Sequence, residues 1–247
     1  MQQETLYGRH PVRESLVARR RVIHEVLIAE GAERKGVLAE IINEAESFQV
    51  PVRVVPRQYL DQYEQHHQGV LAQAEPYPYV TLHDILDFVE SSVEPALILI
   101  LDVIQNPQNL GTLLRTAEAV GVHGVLIPKR RGVEVTPSVV RASAGASEYL
   151  MVAKDNLARA ITQLKERGLW IAGLENQPEA KRFDEFDLTE PLGLVVGGEG
   201  EGMRHLTKQS CDLILSLPMG GHLSSLNAAV AGSIVLYEVW RAREGTN

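Results

Sequence analysis

Ala96-Leu97-Ile98-Leu99-Ile100-Leu101-Asp102-Val103 is the stretch that decides the fold of this chain. It is apolar on both faces with one charge near its end, which is how a strand reads when helices cover both sides of a parallel sheet. Working outward, Asn109 to Val120 is a helix with Leu110, Leu113, Leu114 and Ala117 on one side. Gly124–Pro128 reads as strand, Pro137–Ala144 as helix and Tyr149–Ala153 as strand. Asn156 caps a helix through Arg167, with Leu157, Ala160, Ile161 and Leu164 turned to the core. Leu169–Leu174, Leu192–Val196 and Leu213–Leu217 are further strands, and Leu226–Arg241 is a long last helix. This alternation predicts an α/β domain over residues 95–247, a parallel sheet sandwiched by helices.

Upstream lies a second, smaller α/β pattern over residues 1–75. Pro11 suits the first turn of a helix running to about Arg20. Strands are expected at Val22–Ala29, Val50–Val55 and Gly69–Ala74, and helices at Lys35–Phe48 and Gln58–Gln65. Glu75-Pro76-Tyr77-Pro78-Tyr79 resists regular structure and opens a linker over 76–94, which includes a short helix near His83–Glu90.

Composition bounds the function. The 247 residues are 45% hydrophobic and 23% charged, an ordinary globular balance. The single cysteine, Cys211, makes neither an intrachain disulfide nor a cysteine-based zinc site, so a reducing cytoplasm is the expected compartment. No signal-like segment stands at Met1–Thr5, and the longest apolar run, Ala96–Leu101, is too short for a bilayer. The net charge of −8 argues mildly against a general nucleic-acid binder. Local clusters count for more than the sum, because screening limits each charge to about 10 Å. Arg19-Arg20-Arg21 and Lys129-Arg130-Arg131 form two basic knots, with Arg9, Arg13 and Arg141 as further candidates. Solvated surface is the plain alternative for each.

Ligands of open α/β sheets sit at the carboxyl ends of strands, and three such ends are unusual here. The first is Asn106-Pro107-Gln108-Asn109-Leu110-Gly111, with Asn109 a natural helix N-cap. Arg115 lies on the polar side of the helix that follows and could hold a phosphate, or simply face water. The second is Val195-Val196-Gly197-Gly198-Glu199-Gly200-Glu201-Gly202-Met203, where four glycines turn between a strand and a helix. G-x-G-x-x-G spacing is absent, and Glu199 and Glu201 would repel a pyrophosphate. Acids there suit a ligand with positive charge, such as S-adenosylmethionine, or merely decorate a turn. The third is Leu217-Pro218-Met219-Gly220-Gly221-His222-Leu223-Ser224-Ser225-Leu226-Asn227, in which Ser224 or Ser225 caps the last helix and Asn227 sits in its first turn. No metal constellation is visible among the eight histidines, and no G-x-S-x-G elbow supports a serine hydrolase.

In this order and at this separation the three segments resemble the SpoU (TrmH) family of SPOUT RNA methyltransferases. The resemblance covers nearly the whole chain. Asn109-Leu110-Gly111 through Arg115-Thr116-Ala117 is similar to the family's first motif, and Gly197–Met203 to its second. Leu217-Pro218-Met219 with Ser225-Leu226-Asn227 resembles its third. Leu6-Tyr7-Gly8-Arg9-His10-Pro11-Val12 and Gly69-Val70-Leu71-Ala72 resemble the substrate-binding domain of the RlmB-type subgroup, which methylates a guanosine ribose of 23S ribosomal RNA. Two departures are visible. Ala229 stands where the third motif often has serine, and Asn106 where the first often has aspartate.

The resemblance implies a C-terminal trefoil knot, which periodicity could never have predicted. It also implies a homodimer with the active site near its interface, ribosomal RNA as substrate and no metal. Asn109, Arg115, Glu199, Ser225 and Asn227 become the catalytic-site candidates. Gly197, Gly198, Gly200, Leu217, Met219 and Leu226 become the contacts for S-adenosylmethionine. Arg9, Arg19, Arg20, Arg21, Lys129, Arg130, Arg131 and Arg141 are expected to meet RNA. The implied chemistry is attack of a ribose 2′-oxygen on the methyl carbon. A guanidinium is a poor base, so Arg115 is expected to hold the target phosphate and the 2′-hydroxyl, with orientation supplying most of the gain. The rival readings are the same reaction on transfer RNA or another ribosomal site, and a non-catalytic RNA-binding protein of this fold.

Overall fold

A computed structural model describes residues 3–200 and 202–245 of the chain. The chain divides into two units, the residues up to Pro78 with Val135–Tyr149, and Tyr79–Glu134 with the residues from Leu150 onward.

The first unit holds β1 (Glu4–Tyr7), α1 (Arg9–Ala18), β2 (Ile23–Ala29), α2 (Val37–Ser47), β3 (Val52–Val55), α3 (Arg57–Asp61) and β4 (Val70–Ala74). Its sheet runs β1-β4-β2-β3, with β4 antiparallel to β1 and β2, and β2 parallel to β3. Helix α1 buries Val12 and Leu16, and α2 buries Leu38, Ile41 and Ala45, the spacing of one helical face. β1 is an addition to the sequence reading: of its four residues only Leu6 is buried, too little to register as a strand pattern. Helix Pro137–Ala142 and the 3₁₀ turn Ala146–Tyr149 also group with this unit, although their sequence falls inside the stretch read as the large α/β domain.

A buried ion cluster ties the first unit together. Arg21 Nη2 and Nε donate to the two carboxylate oxygens of Glu148 at 2.6 and 3.0 Å, and Nη1 donates to Glu4 at 2.6 Å. The Arg21 and Glu148 side chains are almost wholly buried. Burial disfavours the Arg21 charge, but the bonds from Glu148 and Glu4 outweigh it and raise its proton affinity.

The second unit holds α4 (Leu82–Ser91), β5 (Leu97–Asp102), α5 (Pro107–Ala119) and β6 (Gly124–Pro128); helix Pro137–Ala142 is α6. Then come β7 (Val152–Asp155), α7 (Leu157–Glu166), β8 (Trp170–Leu174), β9 (Lys181–Arg182), β10 (Leu192–Gly197), α8 (His205–Ser210), β11 (Leu213–Ser216) and α9 (Ala228–Glu244). The seven strands are all parallel, in the order β7-β6-β5-β10-β8-β11-β9. All six residues of β5 are buried, as its unbroken apolar run predicts. Tyr149 belongs to a 3₁₀ turn rather than to β7, and the two-residue β9 was not expected.

Helix starts differ from the sequence reading in two informative places. Pro107 occupies the first turn of α5, and Asn106 caps it by accepting from the Gln108 N–H at 2.8 Å. Asn109 is therefore inside the helix and free of the capping role expected for it. α9 begins at Ala228 with Asn227 as its cap, so neither Ser224 nor Ser225 caps it. α9 packs along α5 through Gly232, where an added Cβ would stand 2.7 Å from Leu113 Cδ2 and 3.0 Å from Val196 Cγ2. Register places Asp102 beside Gly197, Val196 beside Leu174, and Leu174 beside Leu215. The carboxyl ends of four adjacent strands thus align, and the loops that leave them build the site.

Candidate active site

A cavity of about 600 Å³ lies at these strand ends. Its walls come from Leu174–Asn176 after β8, the glycine loop after β10, Leu217 and Met219 after β11, and Ser224–Ala228 leading into α9. The glycine loop closes on itself, with Gly198 and Gly202 exchanging N–H···O bonds at 3.2 Å in both directions. An added Cβ on Gly197 would stand 2.4 Å from the Gly202 carbonyl carbon, and one on Gly198 would stand 2.5 Å from the Val103 oxygen. Backbone meets backbone there, so only glycine fits. Gly198 is thus required by the protein's own packing as well as lining the cavity. Val103 itself, a β-branched residue, holds φ at +62°.

Asn227 joins the three sequence motifs. Its Oδ1 accepts from the Ala229 and Val230 N–H groups at 2.9 and 3.2 Å, which caps α9 and fixes the amide's orientation. Its Nδ2 then donates to Asn109 Oδ1 at 3.2 Å and to Glu199 Oε1. Asn109 and Glu199 also line an adjoining cavity of about 610 Å³, with Asn106, Met203 and Arg204 among its other walls. Ser225 and Leu226 line the first cavity, as do Gly197, Gly198, Gly200, Leu217 and Met219. Five residues expected to act together are therefore reduced to four that the structure gathers. Arg115 is exposed on α5 and lines neither cavity. Glu201 lies outside the described residues.

Three features escaped the sequence reading. Glu175 lines the first cavity; Lys208 donates to its Oε1 at 2.8 Å, while its Oε2 is buried with no hydrogen-bond partner among the described residues. Asn176 ties two loops together by donating from Nδ2 to the Ser224 carbonyl at 2.6 Å. Asp102, fully buried at the end of β5, accepts from the Arg204 backbone N–H and Nε at 2.7 and 2.6 Å. A lone acid at the end of an apolar strand was the visible signal for the last. Among the described residues, no group of three metal-ligating side chains comes together.

The expected basic contacts fall in both units. Lys129, Arg130 and Arg131 are exposed after β6 in the second unit. In the first unit, Arg9 Nε donates to the Gln68 carbonyl, Arg19 stacks over Phe48, Arg20 over Tyr77 and Arg141 over Tyr7. Arg21 is a correction: it is buried between Glu148 and Glu4 and has no surface to offer a polyanion.

Residues 96–237 match the SpoU rRNA Methylase family, and residues 5–80 match the RNA 2′-O ribose methyltransferase substrate-binding family. YacO of Bacillus subtilis, named for the TrmH family of tRNA/rRNA methyltransferases, is 41% identical over 98% of this chain and 97% of its own length. A protein of Staphylococcus aureus with the same family name is 42% identical over 98% of both chains. The SpoU methyltransferase AviRb from Streptomyces viridochromogenes, solved with AdoMet, superposes with a TM-score of 0.81 at 24% identity, covering 98% of this chain and 91% of its own, and shares the fold. With the first match spanning more than half of its length, the chain belongs to the SpoU family of RNA methyltransferases.

Proposed function

We propose that the protein transfers a methyl group from S-adenosylmethionine to a ribose 2′-oxygen of RNA, with a guanosine of 23S ribosomal RNA as its target. The observation that carries the reading is the Asn227 amide, which holds Asn109 and Glu199 together beside a glycine-walled cavity. The cavity suits the cofactor. Its volume of about 600 Å³ is that of a small-molecule site, and its wall carries an acceptor, Glu175 Oε2, with no hydrogen-bond partner among the described residues. Such an acceptor favours a ligand with a positive charge. Gly197, Gly198, Gly200, Leu217, Met219 and Leu226 would hold it, and when bound it supplies the activated methyl group.

The chain's own groups would orient the RNA. Asn109, Glu199, Ser225 and Asn227 line the space the ribose must enter. Arg115 would hold the target phosphate and the 2′-hydroxyl; it lines neither of the two cavities described above, which suits an active site completed by a second protomer. An exposed stripe on α9, Val230, Ile234 and Tyr237, supports association as a homodimer. Residues 1–75 would recruit RNA, 76–94 would link, and 95–247 would catalyse. In the last, β10 lies between β5 and β8 and the loops after β10 and β11 share one cavity, an arrangement that suits a trefoil knot. Among the described residues no helix is long and apolar enough to cross a membrane, and a single cysteine suits work in the cytoplasm.

Mapping 2′-O-methyl groups in RNA from a strain lacking the gene tests the target. Loss at one guanosine of 23S ribosomal RNA supports the reading. Loss on transfer RNA alone would move the substrate while keeping the reaction.

A further inference from the structure

Asp102 does something unusual for a carboxylate at the end of a buried strand. It is fully buried, and both of its oxygens are spent on one residue, Arg204. The bond to Arg204 runs through the backbone N–H and through Nε, not through the terminal fork. A guanidinium is planar and carries its donors in a fixed arrangement. With Nε taken, the plane is set, and among the described residues the bonds of Arg204 run through its backbone N–H and Nε and none through Nη1 or Nη2. The side chain stays partly exposed, at 40%. Asp102 is the last residue of β5 and lies in register with Gly197 of β10. The result is a cationic fork whose direction is decided before any ligand arrives.

That fork stands where two cavities meet. Arg204 lines the cavity that contains Asn109 and Glu199. It also lines a separate cavity of about 410 Å³, whose other charged walls are Lys129, Arg130 and Asp155. Asp155 is already occupied by Lys129 at 3.2 Å and Arg159 at 2.9 Å. In a chain of net charge −8 this is a locally cationic place. An RNA strand has the matching chemistry, a phosphate at each step beside the ribose, and charge-assisted bonds from an arginine fork are the strong way to hold one.

We propose that Arg204 binds a backbone phosphate of the RNA next to the target nucleotide, with Asp102 as the positioning residue that aims it. The flanking nucleotide then occupies the cavity beside Lys129 and Arg130. The assignment rests on the reading of the site as an RNA methyltransferase centre and adds a contact outside the cofactor cavity, since Arg204 does not line it.

The test is RNA binding and steady-state kinetics over a salt series, with a 23S ribosomal RNA fragment as probe. Arg204→Gln should weaken RNA binding about tenfold and raise KM for RNA. The slope of log affinity against log salt should fall by about one. S-adenosylmethionine affinity should stay within about twofold. Arg204→Lys should restore the salt slope but only part of the affinity, because an ammonium cannot hold Asp102 and present a fork together. Asp102→Asn keeps every positive charge but loosens the tether, so it should raise KM while leaving the salt slope in place. If Arg204→Gln unfolds because Asp102 is left unpaired, Asp102→Asn with Arg204→Gln removes that charge and carries the same expectation. Folded Arg204→Gln or double-variant protein with unchanged RNA affinity and salt slope overturns the assignment. Wild-type protein that transfers no methyl group, yet loses RNA affinity on Arg204→Gln, would sink the catalytic reading and leave this one standing.

Discussion

The side chain of Asn227 donates to that of Asn109 at 3.2 Å, across 118 positions of sequence. The same amide group donates to Glu199, and its oxygen holds the first turn of α9. One residue thus closes a helix and sets two side chains of the proposed active site.

These two duties separate by substitution. Asn227→Asp keeps a good N-cap but removes the donor and places a carboxylate against Glu199. We expect the melting temperature to hold within a few degrees and methyl transfer to fall about a hundredfold or more. Asn227→Ala should also lose about 1 kcal/mol of stability through the cap. Thermal denaturation read beside turnover checks both; an active Asn227→Asp enzyme would show that the amide serves α9 alone.

Gly198→Ala should damage the fold and the cofactor site together. The added methyl group meets the Val103 carbonyl at 2.5 Å, and a backbone atom cannot turn aside. Strain of this kind costs about 1–3 kcal/mol. The melting temperature should drop and calorimetric binding of S-adenosylmethionine should weaken in the same protein. Weakened binding at an unchanged melting temperature would mean that the ligand, and not Val103, fills the space.

Arg21→Met should destabilise by about 3–5 kcal/mol, because it leaves the buried Glu148 carboxylate without its partner. Arg21→Met with Glu148→Leu should recover much of that loss. Neither should change the salt dependence of RNA binding if the folded fractions are compared. The same pairing bears on truncation. Removal of residues 1–75 takes away Arg21 while Glu148 remains, so the truncated protein should melt lower than the full chain. An unaltered midpoint in chemical denaturation of Arg21→Met would contradict the cluster's structural role.

Arg115→Ala should keep the fold. The residue is exposed, opposite the buried Leu110, Leu113, Leu114 and Ala117 of α5. Such a change shifts stability by less than about 0.5 kcal/mol, whereas loss of a positioned cation costs about 3 kcal/mol of barrier. Turnover should fall a hundredfold or more with cofactor affinity intact, and Arg115→Lys should recover little. Near-normal turnover in Arg115→Ala would leave this arginine as surface.

Most elements of the large sheet were legible because each buries an apolar face, and the three chemical motifs were legible because they sit at strand ends. What escaped was pairing at long range. Pro107 could have marked Asn106 as the cap, since proline favours the first helical position, yet Asn109 looked equally able to cap. Nothing local told that Asp102 and Arg204, 102 positions apart, would meet. The same holds for Arg21, whose basic neighbours suggested surface while its partner lay 127 positions away. β1 offered a single buried residue, and the grouping of Val135–Tyr149 with the first unit depends on contacts that periodicity does not carry.

The most direct measurement of the central claim is the chemical position of the transferred methyl group. Wild-type protein, S-adenosylmethionine labelled in its methyl group and 23S ribosomal RNA would be incubated together, and the RNA then hydrolysed with alkali. A methyl group on a ribose 2′-oxygen removes the nucleophile that alkali needs, so the account predicts label in an alkali-resistant dinucleotide with guanosine at its 5′ side. Label recovered in ordinary mononucleotides as a methylated base, or no label in RNA at all, would contradict it.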